Sequence, residues 1–132
     1  MANTIATQTI VDGSKCLVVK IDILGDGSGE ETDTVLIDAS SFTPAFTNNR
    51  LCGIYGALNG FTARLFWDAD TNVPMLTLPD YDFELTCEQS LKWGGIPNNA
   101  GTGKTGDILI TTNGLGNGDS GTIIFSLRKK SA

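Results

Sequence analysis

Apolar residues recur at every second position in several stretches of this chain, and this alternation limits its fold more than any other feature. The longest stretch covers residues 15–24, and its apolar members are Leu17, Val19, Ile21 and Ile23. The same alternation returns in residues 61–68 and 122–128. Successive side chains of a strand point to opposite faces, so the pattern predicts half-buried antiparallel strands.

Shorter apolar runs between these stretches fit the same scheme, because turn-forming residues separate them. They predict further strands at 5–11, 34–37, 51–58, 75–78, 81–86 and 108–112. Asn59-Gly60 is the strongest hairpin signal, since a two-residue turn of this type requires positive φ at both positions. Residues 39–42 leave a short helix or helical turn open. We predict one all-β domain over 1–132, a jelly-roll-like antiparallel β-sandwich of eight or nine strands.

The charge balance argues against a nucleic-acid partner. Nine Lys and Arg stand against fifteen Asp and Glu, which gives a net charge of −6, whereas phosphate binding requires clustered basic residues. No apolar run reaches the ~18 residues of a membrane span, and no signal peptide is visible, so we expect no membrane partner. The odd cysteine count predicts free thiols, with Cys16 and Cys52 as small core residues.

Residues 101–106 resemble part of a phosphate-binding P-loop, but neither the spacing nor the context fits. The full motif places a glycine where this chain has Asn98. A helix must also follow, because its N-terminal amides hold the phosphates. Here the next residues read as a strand with Asp107 at its entrance. We therefore predict no nucleotide and no other cofactor.

Residues 118–121 match the tetrapeptide around the nucleophile of trypsin-like proteases. That chemistry requires a histidine to accept the proton of Ser120, and the chain contains none. Lys104 or Lys92 could replace the histidine in principle, but nothing nearby supports such a pair. We interpret the tetrapeptide as a turn before the last strand, in which Asp119 and Ser120 bond the backbone.

Two groups of acidic residues were candidates for chemistry and are interpreted as solvated surface. The loop 25–33 contains four carboxylates, but the oxygen spacing of a helix-flanked calcium loop fails from Asp22 and from Asp26. An acidic hairpin is the prediction, with weak cation binding as the alternative. A second group could be paired for glycoside hydrolysis only by chance; it consists of Asp68, Asp70, Asp80, Asp82 and Glu84. We predict no catalytic residue, no metal ligand and no enzyme activity.

Several segments carry a resemblance to a known class of proteins. They are residues 2–13, 65–69, 96–101 and 105–108. Through them, and along most of its length, the chain resembles small virion structural proteins of tailed bacteriophages, particularly phages of marine and cyanobacterial hosts. The resemblance implies a β-rich, non-catalytic part of the particle, assembled in the host cytoplasm and located in the virion. A head decoration (cement) protein is the first choice, and a tail or neck component is the alternative.

The implied partners are the major capsid protein or other virion proteins, together with further copies of this chain as a homo-oligomer on the particle. Candidate contact residues are Trp93, Ile96 and Pro97 in a Gly-rich segment, Thr4 and Ile5 near the N-terminus, and Arg128, Lys129 and Lys130 in a basic tail. Each group has a plainer alternative: Trp93 as a cap on the core, residues 2–8 as an ordinary first strand rather than an arm added to a neighbour, and the tail as a solvated terminus.

A carbohydrate-binding or adhesin module is the rival of a different class, because small β-sandwiches often present aromatic side chains to sugars. The alternation places Trp67 on the core face, which weakens this rival. Trp93 and Tyr81 support it.

Overall fold

The computed structural model describes residues 3–13, 15–42, 49–85 and 96–128. In these residues the chain forms ten strands: β1 (Thr4–Asp12), β2 (Cys16–Leu24), β3 (Thr34–Ile37), β4 (Arg50–Asn59), β5 (Thr62–Trp67), β6 (Val73–Leu78), β7 (Asp82–Leu85), β8 (Ile96–Pro97), β9 (Ile108–Asn113) and β10 (Ser120–Arg128). A 3₁₀ helix, Ala39–Ser41, begins after Asp38, whose side chain accepts a hydrogen bond from the Ser40 amide. This described part contains no helix long and apolar enough to cross a membrane.

The strands form two antiparallel sheets, which confirms the predicted β-sandwich. The larger sheet has the order β1-β2-β10-β4-β7, and β8 also pairs with β4; the smaller sheet has the order β3-β9-β5-β6. Ten described strands exceed the predicted eight or nine, partly because β8 has only two residues and no sequence pattern. When β1 and β8 are left out, eight strands remain, and they can be counted again in chain order. The larger sheet then has the order first, eighth, third, sixth, and the smaller sheet has the order second, seventh, fourth, fifth. We interpret this order as that of a jelly roll.

The core lies between the sheets and follows the predicted alternation. The four alternating residues of β2 named above, Leu17, Val19, Ile21 and Ile23, are all at most 2% exposed. Trp67, Phe61 and Phe125 are the largest fully buried side chains, so the prediction that Trp67 faces the core is confirmed. Burial of side chains this large stabilises the fold by about 2–3 kcal/mol each.

The predicted hairpin at Asn59-Gly60 is wrong, because β4 and β5 belong to different sheets. Gly60 has a φ of +94°, while Asn59 does not adopt positive φ. Phe61 follows at once and is 2% exposed. The chain leaves the plane of the larger sheet there so that the Phe61 ring enters the core, and β5 starts in the opposite layer.

The cysteine prediction holds only in part. Cys16 and Cys52 are free thiols, but Cys16 is exposed at the start of β2 and Cys52 is half-buried. Cys16 is therefore not a core residue, because Leu17 points into the core and the alternation of β2 turns Cys16 to the opposite face. Cys87 lies outside the described residues.

Candidate binding surface

The side chains of the larger sheet that point away from the core form a broad surface, which we name the outer face. Residues paired in an antiparallel ladder share a face of the sheet. The register therefore shows which outer-face side chains lie in one row across neighbouring strands. One row contains Ala6, Asp22, Thr122, Ala57 and Asp82. The next contains Gln8, Lys20, Ile124, Tyr55 and Glu84.

Several large apolar side chains on the outer face remain exposed to solvent. Leu24 is 51% exposed, Val11 is 45% exposed and Tyr55 is 57% exposed. Ile124, which lies opposite Tyr55, is half-buried. Single exposed apolar residues are common, but a series of them across one face indicates a contact surface.

Among the described residues, troughs shape the outer face at two places. The larger, of about 400 Å³, extends across four strands and is lined by Ala6 on β1, Asp22 on β2, Thr122 on β10 and Ala57 on β4. The small side chains of Ala6 and Ala57 stand on either side of Asp22 and Thr122 in this row and leave the trough open. The smaller trough, of about 170 Å³, lies beside Tyr55 and is lined by Gly53, Ile54, Glu84, Leu85, Ile124 and Ser126.

Charges near the middle of the outer face compensate one another. Lys20 Nζ lies 3.5 Å from Asp22 Oδ2, and Thr122 Oγ1 donates to Asp22 Oδ1 at 2.7 Å. The Thr122 hydrogen bond, and then the nearby Lys20 ammonium, hold the pKa of Asp22 below its ordinary value. The acidic side chains of Asp82 and Glu84 stand at the β7 margin. The centre of the face is thus close to neutral.

The predicted contact residues do not form one site. Thr4 is exposed beside the larger trough, whereas Ile5 faces the other way and packs against the core. Residues 4–12 pair with β2 as the first strand of their own sheet, which is the plainer of the two alternatives considered for residues 2–8. Of the two N-terminal candidates, Thr4 therefore lies at one end of the outer face and Ile5 does not.

The remaining described candidates lie at the other end of the sheet. Ile96 is half-buried opposite Leu51, and Pro97 lies opposite Arg50. Arg128 is also paired with Arg50, from the other side of β4. Two arginines, Arg50 and Arg128, therefore lie on adjacent strands at this end of the sheet. Trp93, Lys129 and Lys130 lie outside the described residues.

The two motifs that resemble enzyme signatures occupy turns before strands. Residues 101–106 lead into β9, and the Lys104 amide donates to the Gly101 carbonyl within a tight turn. Before β10, Asp119 Oδ2 accepts a hydrogen bond from the Gly116 amide at 2.8 Å, and Gly118 has a φ of +86°. The predicted turn before the last strand is confirmed for Asp119, whereas Ser120 is already the first residue of β10.

The acidic loop 25–33 is not the hairpin that the sequence predicts, since it joins β2 in one sheet to β3 in the other. Its carboxylate Glu30 accepts hydrogen bonds from Thr112 Oγ1 and from the amides of Gly114 and Leu115, at 2.7, 2.6 and 3.0 Å. These bonds, that from Thr112 first, lower the pKa of Glu30. Within the described ranges no three or more potential ligand side chains are grouped to hold a metal ion.

Sequence reasoning missed the residues that give the outer face its apolar character. Tyr55 and Ile124 occupy solvent-side positions of strands whose inner positions are apolar. The alternation contains a signal for them, because an aromatic or branched residue on the solvent side of a strand cannot pack into the core and stays on the surface. A comparison with protein-family models finds no match for this chain, and a comparison with curated proteins finds none either.

Proposed function

We propose that this chain is a non-enzymatic structural protein of a tailed-phage virion, where it binds the outer surface of the head lattice as a decoration (cement) protein. The observation that carries the proposal is the outer face, which is broad, nearly neutral at its centre and lined by exposed Leu24 and Tyr55. The virion location comes from the sequence resemblance. The proposed partner is the major capsid protein.

The size of the outer face fits a protein partner bound with modest affinity per copy. Four strands of nine or ten residues and the four-residue β7 form it, so spacings of about 4.8 Å between strands and about 3.3 Å per residue give a face of at most roughly 20 by 30 Å. This is somewhat below the roughly 800 Å² that each partner buries in a standard protein interface. A decoration protein of modest affinity per copy still stabilises a shell when each copy bridges neighbouring capsomers.

The non-catalytic part of the proposal rests on the sequence. The chain has no histidine to serve Ser120 and has Asn98 where a P-loop requires glycine. Binding to neighbours requires only that apolar area be buried.

Head binding is tested with purified empty heads of the phage that encodes the chain. We expect the protein to sediment with the heads and to raise their melting temperature. Tyr55→Ala and Leu24→Ser should each weaken binding about tenfold, since each removes exposed apolar area that the interface would bury. Val35→Ser is the matched control, because Val35 is 48% exposed on the smaller sheet. Equal losses for Val35→Ser and Leu24→Ser would contradict this use of the outer face.

Copy number separates the head from the tail or neck. A stained gel of purified virions should show hundreds of copies for a head decoration protein, and about six or twelve for a component of a symmetric ring. About six or twelve copies would indicate a tail or neck component instead of a head decoration protein.

A carbohydrate-binding or adhesin module is the second candidate, and Tyr55 is the observation that favours it. An exposed tyrosine beside a trough of about 170 Å³ resembles the platform on which a sugar ring stacks. Retention on a glycan array, lost in Tyr55→Ala and combined with no binding to heads, would replace the first proposal with this one.

A further inference from the structure

The free edge of β1 is the least protected strand edge among the described residues. β1 is nine residues long and pairs on one side only, with β2. No Asp, Glu, Lys, Arg or Pro occurs in residues 3–11. An edge strand presents unpaired backbone amides and carbonyls, which natural proteins usually guard with charges, prolines or short length. A register shift between Thr9 and Val11 interrupts only the far end of β1, so residues 4–9 form a regular edge.

The other described edge strands carry the protections that β1 lacks. β7 and β3 have four residues each, and β7 carries the carboxylates of Asp82 and Glu84. β6 contains Pro74, at which its register with β5 shifts. Because the other three described edges carry such protection, its absence from β1 sets the β1 edge apart as one open to pairing.

Most of β1 is also uncovered on both faces. Ile5 packs against the core, but Thr7 and Thr9 remain exposed although they pair with the fully buried Ile21 and Val19. The smaller sheet therefore does not extend over residues 7–9. A strand with a free edge and largely free faces has room for another strand beside it.

We propose that β1 pairs edge to edge, antiparallel, with β1 of a second copy of this chain, so that the two larger sheets become one. Charge is the reason to choose a second copy. Each copy carries a net charge of −6, so two copies approach with least repulsion through a segment that contains no carboxylate.

The geometry of such a pair is isologous. A two-fold axis perpendicular to the sheet keeps the two outer faces on the same side. With the axis at Thr7, Ile5 of each copy lies opposite Thr9 of the other, and no like charges meet. β-Branched pairs of this kind are favourable between strands. If the proposed head binding is also correct, the dimer presents a doubled outer face to the lattice, which raises avidity without a new contact.

The experiment is sedimentation of the full chain from micromolar to millimolar concentration, with no heads present. We expect a reversible monomer–dimer equilibrium in the micromolar range or weaker, because one strand edge is a small interface. Thr7→Lys should weaken the dimer at least tenfold, since it sets two ammonium groups beside the axis. The change makes each copy less negative, so weaker association cannot come from the net charge. Thr77→Lys, an exposed threonine on edge strand β6, should leave the equilibrium unchanged.

Hydrogen exchange supplies a readout that does not depend on any variant. Amides of residues 4–9 should exchange more slowly as the concentration rises, while those of β6 should not. A monomer at every concentration would overturn the proposal, as would an equal effect of Thr77→Lys or protection confined to another strand. Protection of β1 only in the presence of heads would also overturn it and would assign the edge to a head protein. Failure of head binding leaves this test intact.

Discussion

Asn98 Nδ2 donates a hydrogen bond to Asn49 Oδ1 at 3.1 Å, and the two residues are only 8% and 0% exposed. Their main chains are joined as well, from the Asn98 amide to the Asn49 carbonyl. Asn49 Nδ2 in turn donates to the Gly106 carbonyl, and Asn98 Oδ1 accepts from the Ala100 amide. These bonds fasten the segment before β9 to the start of β4, because buried amide groups require partners.

Asn98→Ala should lower the free energy of unfolding by about 2 kcal/mol, since it leaves the buried Asn49 side chain and the Ala100 amide short of a partner. Asn99→Ala is the matched control, because Asn99 is the neighbouring asparagine and is exposed. It should change stability by no more than about 0.5 kcal/mol. Urea unfolding followed by circular dichroism measures both. Similar losses for the two variants would show that the buried network does not hold this segment.

Glu30→Gln should destabilise the protein at neutral pH by about 1 kcal/mol, because an amide accepts the three hydrogen bonds less well than a carboxylate and solvent screens part of the effect. The pKa of folded Glu30 lies below its ordinary value of 4.5. Its contribution is therefore complete above pH 4.5 and is lost as the pH falls through the lowered pKa. The difference between wild type and variant should shrink in acid.

Urea unfolding at a series of pH values measures this dependence. Glu84→Gln is the control, since Glu84 is an exposed carboxylate on β7. A difference for Glu30→Gln that stayed constant into acid would contradict an ionised carboxylate as the anchor of the loop.

Asp107→Asn should have the opposite pH dependence. Burial raises the pKa of Asp107 above its ordinary value of 3.8, and the carboxylates of Asp38 and Asp68 raise it further. The folded state therefore binds the proton of the Asp107 carboxyl more tightly than the unfolded state does. The stability that this protonated carboxyl contributes is lost as the pH rises through the raised pKa. Asparagine keeps an oxygen to accept from the Ala39 amide, a bond of 2.8 Å in the wild type.

We therefore expect Asp107→Asn to match wild type near pH 4 and to exceed it at pH 7 by up to about 1 kcal/mol. Thermal and urea unfolding across this range measure the difference. Asp82→Asn, at an exposed carboxylate, should show no such trend. A variant less stable than wild type at pH 7 would show that burial and repulsion of the ionised carboxylate do not outweigh its hydrogen bond from the Ala39 amide.

The strands could be predicted from the sequence wherever buried apolar residues alternate with exposed ones along the chain. In β2, every second residue is apolar and every one of those is buried. The path between the sheets could not be predicted in the same way. Asn59-Gly60 has the chemistry of a hairpin turn, but local chemistry does not state which sheet receives the next strand. The buried Phe61 decides it, and its partners are distant in sequence.

The sequence does not locate the candidate surface. It points to residues near the N-terminus, at 93–97 and in the basic tail, whereas the register puts Tyr55 and Ile124 side by side at the centre of the outer face. Glu30 was interpreted as solvated because its partner Thr112 lies 82 residues away. Contacts across such distances leave no period in the sequence, so only the fold reveals them.

Gly56→Ala should be the most destabilising of these substitutions. A Cβ at Gly56 would overlap the Thr122 carbonyl oxygen and lie 3.1 Å from Ile123 Cα, which are backbone atoms of the neighbouring strand β10. Backbone in a central sheet cannot move aside as a flexible side chain can, so we expect a loss of about 3 kcal/mol or more. Urea unfolding measures it.

Gly101→Ala is the matched control, since no atom lies within 4 Å of the added Cβ and the φ of Gly101 is not positive. It should leave stability unchanged or raise it by up to about 1 kcal/mol, because alanine restricts the unfolded chain. A loss below about 1 kcal/mol for Gly56→Ala would contradict the close approach of β4 to β10. Those two strands form the centre of the outer face, so a substitution that separates them should also reduce head binding more than Gly101→Ala does.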